Sequence, residues 1–412
     1  MGAGTFVSGQ TAGRSAASRR PLDVPLVVAV IAILVFGVTM VYSASWDYSL
    51  QEYGDPMYMF ARQLQWLGLG IAVAATLTLF DYHRWRRLIV PVMGITILLL
   101  TAVLFMNEIR LGAKRSLYQG SYQPSELAKL VTIVYLSVWL YAKREVLHHV
   151  SLGLVPLGLI LGVIGGLVYQ QPDLSAAVTL MLLGGLLFFL AGGALRQIGL
   201  LLVVAVAAGT IVVQVNPTGS VRVAEFVSGL RDPTEASYHV RRSFEAIVNG
   251  GLLGVGIGRA QSKMTGLPVP PTDSIFAVVV EELGLIGALV LILLYAGIVW
   301  RGLVIARRAP DMLGTLMATG LVIWIGLEAG INMMVMVGLL PFAGNALPFI
   351  SAGGSNLVSC LAAVGILQSI SRQQGQMVAE DEWRAERATD DLRGRNRRRR
   401  LSRPRRSANL EG

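Results

Sequence analysis

The chain has 412 residues, of which 54% are hydrophobic and 15% are charged, and its net charge at pH 7 is +10. A soluble domain carries about 25% charged residues, so this composition favours a protein that lies in a membrane. The single cysteine, Cys360, excludes a disulfide framework and any metal site with several cysteine ligands. The positive charge does not indicate nucleic-acid binding, because the arginines cluster in the tails and in short loops beside apolar segments.

Ten apolar segments of helix length predict an all-α polytopic membrane protein, a bundle of about ten transmembrane helices. The first segment is too long for the apolar part of a signal peptide. The predicted spans are 24–44, 61–80, 88–106, 126–142, 151–168, 174–193, 197–214, 276–300, 313–337 and 354–370. The tails at 1–20 and 371–412 flank this membrane domain of residues 21–370, and their polar composition predicts disorder.

Charge along the chain predicts the orientation of the spans. If the N-terminus is cytoplasmic, the inner segments and the C-terminal tail contain most of the 35 Lys and Arg residues. Positive residues are enriched on the cytoplasmic side of membrane proteins, so we expect this orientation. An even number of spans then places both termini in the cytoplasm. It also makes segment 215–273, between spans seven and eight, a long extracytoplasmic loop.

A short helix is predicted inside that loop. Asp232, Pro233 and Glu235 have the pattern of a helix start, with a cap residue, a proline and an acid. Four apolar residues then follow at helical spacing, namely Val240, Phe244, Ile247 and Val248. This pattern predicts an amphipathic helix that lies on the membrane surface.

Some positive residues run against the general charge pattern, because they fall in the predicted outer segments. They are Arg110, Lys114, Arg115, Arg222, Arg231, Arg241, Arg242, Arg259 and Lys263. One interpretation is that these are ordinary solvated charges of a loop. The other is a site for an anionic ligand, such as a lipid phosphate or pyrophosphate.

Five ionisable residues lie inside predicted spans, where charge is costly and is a candidate for function. Glu126 and Lys129 are three residues apart, so they share a helix face and can pair. Such a pair either ties helices together or supports a site. Glu281 and Glu282 are adjacent and point in different directions, which favours hydrogen bonds to neighbouring helices. The fifth residue is Glu328.

Asp273 lies where a proline-rich loop meets an apolar segment. An Asp before a helix is often its N-cap, which stabilises the helix by about 1 kcal/mol. The alternative is a general base at the membrane surface. The glycines of 254–258 lack dinucleotide-binding spacing and indicate flexible or close-packed backbone. The prolines and glycines of 338–356 predict a broken, re-entrant segment that lines a cavity.

Four blocks of residues point to one family. They are Gln123-Pro-Ser-Glu-Leu-Ala-Lys129; Gln171-Pro-Asp-Leu174; Gly254 to Lys263 with Leu267-Pro268, Thr272-Asp273 and Glu281-Glu282-Leu-Gly284; and Leu347-Pro-Phe-Ile-Ser351 with Gly353-Gly354-Ser355. Together they resemble the SEDS family, the FtsW/RodA enzymes of bacterial cell-wall synthesis, over about 24–370.

The resemblance implies a plasma-membrane glycosyltransferase that polymerises lipid II, with undecaprenyl pyrophosphate as the leaving group. It implies a class B penicillin-binding protein transpeptidase as partner, together with other divisome proteins and membrane lipids. No cofactor is expected, and a divalent cation is left open. Asp273 is the expected catalytic base. The expected substrate-binding residues are Lys263, Arg115, Arg241, Arg242, Ser351 and Ser355, and the expected supporting residues are Glu126, Lys129, Glu281 and Asp173.

The chain departs from the family pattern at several positions. Pro271 stands where a His is usual, Ala352 where a Tyr is usual, and Asn356 where a Ser is usual. These changes leave the expected base in place but alter its surroundings. The blocks at 41–45 and 53–66 resemble the division branch more than the elongation branch. A lipid II flippase, or a scaffold that recruits a transpeptidase, is the alternative from another functional class.

Overall fold

The computed structural model describes residues 22–105, 123–215 and 217–374, and every regular element in these ranges is helical. The helices are α1 Val24–Tyr53, α2 Tyr58–Leu79, α3 Trp85–Phe105, α4 Pro124–Lys143, α5 Val155–Gln170, α6 Leu174–Leu190, α7 Leu195–Val215, α8 Pro217–Arg231, α9 Tyr238–Gly250, α10 Ile275–Arg307, α11 Met312–Met336 and α12 Gly354–Gln374. The predicted all-α fold class is therefore confirmed. The predicted N-terminal tail and residues 375–412 of the predicted C-terminal tail lie outside the described residues, whereas residues 371–374, which were predicted to be disordered, form the end of α12.

Each of the ten predicted spans overlaps one helix, and the two further helices, α8 and α9, lie within the predicted loop 215–273. Eight helices in the described part of the chain are long and apolar enough to cross a membrane. The helices α2 and α6 are not among these eight, and α6 has only 17 residues. The protein is thus a multi-pass membrane protein, and the number of ten spans stays a prediction.

The helices α4, α11 and α12 form the centre of the bundle. In their most apolar stretches 67%, 72% and 83% of the residues are buried, whereas none are buried in that of α7. The central helices also carry polar side chains, with Lys129 on α4, Glu328 on α11 and Asn356 on α12. Unpaired polar groups are costly in an apolar medium, so these helices turn their polar faces towards one another.

The predicted span 276–300 corresponds to α10, which is longer than expected and interrupted. At Gly284 the backbone has φ 68° and ψ −169°, so the chain leaves the helical conformation there and resumes it afterwards. A positive φ of this kind favours glycine, because glycine has no Cβ. The predicted span 276–300 is therefore present as α10, and its interruption at Gly284 was not predicted.

The predicted helix start at Asp232 is present, but it begins a short 3-10 helix and not the amphipathic helix. Asp232 accepts a backbone hydrogen bond within a single 3-10 turn, and α9 begins at Tyr238 after its cap residue, Ser237. The helix packs against α10 and α11, with Val240 buried, while Val248 is 76% exposed. Most of its apolar face is thus used for docking on the bundle rather than for lying on the membrane.

The predicted broken segment between α11 and α12 is present. Residues 337–353 contain turns and extended backbone without a helix, and most of them are at least partly buried. Tyr295 of α10 donates its hydroxyl to the carbonyl of Pro348, and Gln63 Nε2 of α2 donates to Ser351 O at 3.2 Å. The segment is therefore held between helices, which satisfies backbone groups that lipid could not.

Candidate functional site

Asp273 is the half-buried acid at the end of the loop that leads into α10. The cap residue of α10 is Ser274, so Asp273 precedes the cap position by one residue. Ser274 does not cap the helix with its side chain, since its Oγ donates to Pro268 O at 2.8 Å. The cap position of α10 is thus assigned to Ser274, and the choice between a cap and a general base for the Asp273 side chain stays a prediction.

The loop before α10 is held by the segment between α11 and α12. The carbonyl of Pro271 accepts a hydrogen bond from Ala352 N at 2.8 Å, and that of Thr272 accepts one from Ser351 Oγ at 2.7 Å. Ser351 is buried, and its Oγ also accepts from Leu347 N at 2.7 Å. The Ser351 hydroxyl is therefore used to position this loop, and its predicted contact with substrate stays a prediction.

Asn332 on α11 adds a third support. Its Nδ2 lies 3.0 Å from the carbonyl oxygen of Asp273 and 2.6 Å from that of Asn345. Asn345 Nδ2 donates in turn to Glu328 O at 3.1 Å. Three consecutive carbonyls, at residues 271–273, are thus each held by another part of the chain. The position of the acid depends on α11 and the broken segment as much as on its own loop.

Two non-glycine residues near this junction have left-handed backbone. Val269 has φ 45° and Phe349 has φ 67°. Such conformations are unusual for branched or bulky residues and cost roughly 1–3 kcal/mol each. They lie just before Asp273 and Ser351, in the two segments that bond each other. Strain of this kind persists only where its surroundings hold it, and it clusters at functional sites.

A buried charged cluster connects the three central helices. Lys129 Nζ lies 2.9 Å from Glu126 Oε2, so the predicted contact between these residues is present. The same ammonium also binds Glu328 Oε1 of α11. Asn356 of α12 donates from Nδ2 to Glu126 Oε2 at 2.8 Å. The residue that departs from the family pattern at 356 therefore completes the cluster.

A second polar cluster joins the first turns of α4, α6 and α12. Asp173 caps α6, with Oδ1 accepting from Ala176 N at 3.1 Å. Its Oδ2 accepts from Ser125 Oγ and from Gln123 Nε2, both at 2.9 Å. Gln123 N donates to Ser355 Oγ at 3.2 Å. Asp173 and Ser355 therefore place three helix ends side by side, and the predicted substrate contact of Ser355 stays a prediction.

Glu281 and Glu282 bind the loop that precedes α10. Glu281 Oε1 accepts from Gln261 N at 3.0 Å and from Ser262 N at 3.2 Å. Glu282 Oε1 lies 3.2 Å from Lys263 Nζ. The two carboxylates do point in different directions, as their adjacency predicted. Glu281 binds the loop, whereas Glu282 also accepts hydrogen bonds from Ser43 Oγ of α1, at 2.6 Å to Oε1 and 2.8 Å to Oε2. The predicted hydrogen bond to a neighbouring helix is therefore present for Glu282.

Lys263 was predicted to bind an anionic ligand, and in the structure its charge is compensated within the protein. Besides Glu282, its ammonium donates to Ser43 O at 3.1 Å and to Gly258 O at 3.2 Å. The side chain is only 3% exposed. A phosphate would have to displace these partners, so the predicted role of Lys263 in binding stays a prediction.

Arg241 and Arg242 are cations of α9, and Arg241 is exposed while Arg242 is partly so. Arg242 Nη1 lies 2.6 Å from Glu245 Oε2, and its Nε donates to the hydroxyl of Tyr238 at 3.3 Å. These two contacts raise the pKa of Arg242 above its ordinary value. Both arginines can reach a ligand in solvent. Arg115, predicted to act with them, lies outside the described residues.

His239, which the sequence analysis did not single out, connects α9 to the segment after α11. Its ring stacks on that of Phe342, with centroids 4.0 Å apart. Burial and the positive charge of Arg222 lower the pKa of His239 to about 4. The imidazole is therefore neutral at pH 7 and packs as an aromatic ring.

Three further residues belong to the framework of the site. Glu328 was named in the sequence as a charged residue inside a span but was given no role, and Asn332 and Asn345 were not named. A usable signal existed for two of them. Glu328 and Asn332 are four residues apart on α11, so they share one face of that helix. Asn345 had no such signal, because it lies in an irregular segment whose path cannot be derived from periodicity.

In the described part of the chain, no group of three or more His, Cys, Asp or Glu side chains is arranged to hold a metal ion. The carboxylates that are present have protein partners instead, with Lys129 between Glu126 and Glu328, and Lys263 beside Glu282. The expectation that no cofactor is needed stays a prediction.

The fold and the contacts around Asp273 define a class of protein. It is a multi-pass helical membrane protein in which one acid, Asp273, lies beside the buried, non-helical segment of residues 337–353. Residues 24–376 match the profile of the FtsW/RodA/SpoVE family of cell cycle proteins. The chain therefore belongs to the FtsW/RodA/SpoVE family.

Individual relatives agree with this assignment. A probable peptidoglycan glycosyltransferase FtsW of Geobacter metallireducens is 36% identical over 354 residues, which cover 85% of this chain and 94% of the relative. A chain from a solved peptidoglycan synthase complex that coordinates polymerization and crosslinking is 26% identical, with a TM-score of 0.71 and coverage of 86% and 98%. The crystal structure of the rod shape determining protein RodA of Thermus thermophilus is 25% identical, with a TM-score of 0.64 and coverage of 86% and 97%.

Proposed function

We propose that this protein is a peptidoglycan glycosyltransferase that polymerises lipid II, with Asp273 as the general base. The observation that carries the proposal is the support of the loop around Asp273. The carbonyls of residues 271–273 are held by Ala352, Ser351 and Asn332. A catalytic group must be held close to its productive geometry by its neighbours, and this arrangement provides such support.

The reaction needs one proton acceptor near a positively charged surface. The carboxylate of Asp273 takes the proton from the acceptor sugar hydroxyl, whose oxygen then attacks the anomeric carbon of the donor. The bond from that carbon to the pyrophosphate oxygen breaks, and the lipid pyrophosphate leaves. Because the leaving group is already a stable anion, it needs positive charge rather than a strong acid, unlike an ordinary glycoside.

Arg241 and Arg242 supply that charge in our proposal, because they are the two expected substrate-binding cations that lie at the surface in the described part of the chain. Arg115 is proposed to act with them on the basis of the family resemblance alone. Lys263 is proposed to act indirectly, by holding the loop against Glu282 and Ser43. Charge-assisted hydrogen bonds to phosphate are roughly twice as strong as neutral ones, so two accessible arginines make a substantial contribution.

The relatives support the proposed partner and the proposed cellular role. The similar chain from a peptidoglycan synthase complex works where polymerization and crosslinking are coordinated, which supports a class B penicillin-binding protein transpeptidase as partner. The relative named FtsW supports the division branch, so we propose a septal role together with other divisome proteins in the plasma membrane, with both termini cytoplasmic. An elongation role is the alternative, and the similarity to the rod shape determining protein RodA supports it.

The experiment is polymerisation of purified lipid II by the Asp273→Asn variant in detergent. Asparagine keeps the size of the side chain but cannot accept the proton. A general base contributes about 10²–10⁴-fold in rate, so we expect polymerisation to fall by at least about 10²-fold while lipid II binding is retained. Detergent removes the second compartment, so polymer formation by the native chain also separates an enzyme from a flippase.

Asp232→Asn is the matched control. Asp232 is an exposed loop aspartate that accepts a hydrogen bond from Thr234 N, and asparagine can accept the same bond. This variant should polymerise lipid II like the native protein. Near-native polymerisation by Asp273→Asn, with the protein folded, would remove Asp273 from the role of base. Equal losses in both variants would show that the assay reports folding instead.

A further inference from the structure

The interruption of α10 is closed by another part of the chain. Breaking a helix at Gly284 leaves backbone carbonyls before the break and amides after it without helical partners. Residues 250–258, which we call the glycine loop, provide these partners. Val255 N donates to Glu281 O at 2.9 Å and Gly256 N donates to Glu282 O at 3.0 Å. On the other side, Leu285 N and Ile286 N donate to the carbonyls of Gly251 and Leu252, at 3.0 and 3.3 Å.

Glycine is required for this close approach on both sides. A Cβ at Gly250 would lie 2.1 Å from Val280 O, and one at Gly254 would lie 2.2 Å from Glu282 O. A Cβ at Gly284 would lie 2.3 Å from Leu252 O. The backbone of the glycine loop therefore packs directly against the break in α10. The hydrogen bonds of Glu281 to Gln261 and Ser262 hold the residues that follow the glycine loop.

The side chains of the glycine loop point the other way and are all apolar. Between Asn249 and Arg259 there is no polar side chain. Leu252 is 69% exposed, Leu253 is 78% exposed and Ile257 is 57% exposed. Exposed apolar side chains continue along the neighbouring surface of α10, at Leu285, Ile286, Leu289 and Leu293.

The depth of this patch can be derived from α10 itself. Trp300, which is 68% exposed, and Arg301 mark one boundary of the hydrocarbon core, because aromatic and positive residues collect there. A core of about 30 Å takes about 20 helical residues, so the other boundary falls near Glu281. The break at Gly284 then lies about 5 Å inside the hydrocarbon region.

We propose that the glycine loop is a membrane-inserted anchor, with Leu252, Leu253 and Ile257 among the acyl chains of the leaflet on the Asp273 side. Acyl chains cannot form hydrogen bonds, so backbone that contacts them must be bonded within the protein. The backbone hydrogen bonds between the glycine loop and α10 meet this requirement. Arg259 ends the apolar stretch at the level where a cation can reach the headgroups. The anchor sets the height of Lys263 and of the following Asp273 loop relative to the membrane, whatever reaction Asp273 performs.

The test places a spin label on Leu253→Cys in the full chain in liposomes and compares its collisions with oxygen, which enters lipid, and with a water-soluble nickel chelate. The matched control is Thr265→Cys, an exposed residue beyond the apolar stretch. Native Cys360 is buried, and unsubstituted protein treated with label measures its contribution.

We expect the label at Leu253 to collide with oxygen and to be protected from the nickel chelate, and the label at Thr265 to show the reverse. Nickel access at Leu253 equal to that at Thr265 would place the glycine loop in water and overturn the proposal. Protection of Leu253 from both reagents would also overturn it, because a protein surface, such as a second copy or a partner helix, would then cover the loop. Oxygen access at Ile257→Cys gives a second, independent reading of the same loop.

Discussion

Removing the ammonium of Lys129 should destabilise the protein far more than neutralising one of its carboxylate partners. The buried cluster contains one cation and two carboxylates, Glu126 and Glu328. Lys129→Met keeps much of the side-chain volume but leaves both carboxylates without a cation. Glu328→Gln instead leaves one balanced pair, and the new amide can still accept a hydrogen bond from Lys129.

The magnitudes follow from burial. Lys129 is 1% exposed, Glu328 is 0% exposed and Glu126 is 6% exposed, so water cannot replace the lost partner. Removing one member of a buried ion pair costs roughly 3–5 kcal/mol, because an uncompensated charge remains. For Glu328→Gln we expect a loss of about 1 kcal/mol, typical of exchanging a single buried hydrogen bond.

The assay is thermal unfolding of purified protein in detergent, followed by loss of the monodisperse elution peak. A double variant, Lys129→Met with Glu328→Leu, tests the charge argument directly. It should unfold at a higher temperature than Lys129→Met alone, since one unpaired carboxylate is gone. Equal unfolding temperatures for Lys129→Met and Glu328→Gln would refute the reasoning. Native-like abundance and activity of both Lys129→Met and Glu126→Gln would show that the pair supports nothing.

Three further predictions concern Asn332, which holds the Asp273 loop, the pair of Lys263 and Glu282, and the partly buried ring of His239. Asn332→Leu removes the hydrogen bond to Asp273 O, and a displaced base can cost up to about 10²-fold in rate, so polymerisation should fall while membrane abundance stays native. Lys263→Met leaves Glu282 buried without its cation, so the unfolding temperature should fall, and adding Glu282→Gln should restore part of it. The pKa of His239 is lowered from 6.5 to about 4, so between these values the unfolded chain binds the proton more tightly. Stability from this residue should therefore be complete above about pH 6.5 and fall as the pH drops towards 4, and thermal unfolding of His239→Gln should lack that part of the pH dependence.

Much of the fold could be derived from the sequence, because a membrane imposes one simple rule on long segments. Apolar runs of helix length must form helices, and each of the ten predicted runs overlaps one. The two features that were not predicted correctly, a helix break and a helix start, depend on local and tertiary contacts that this rule does not describe. The break at Gly284 follows Glu281 and Glu282, but charged residues do not by themselves mark a helix break, and this one is closed by the docking of a loop that lies earlier in the chain. The start of α9 was misplaced because Asp232 and Ser237 are both good caps, and the chain uses the first for a 3-10 turn.

The contacts of the site also fall into two groups, those that helix spacing fixes and those that only tertiary packing creates. Glu126 and Lys129 could be paired in advance, because three residues of helix fix their distance. The partner of Lys263 could not, because Glu282 and Ser43 meet it only through tertiary packing. A charge count along the chain treats Lys263, Arg241 and Arg242 as equal outer cations. The fold buries Lys263 against Glu282, whereas Arg241 and Arg242 stay at the surface, the latter beside Glu245. Positive charge that can bind an anion is thus a property of burial and pairing rather than of sequence. Any estimate of ligand affinity for this face should therefore count the arginines of α9 before Lys263.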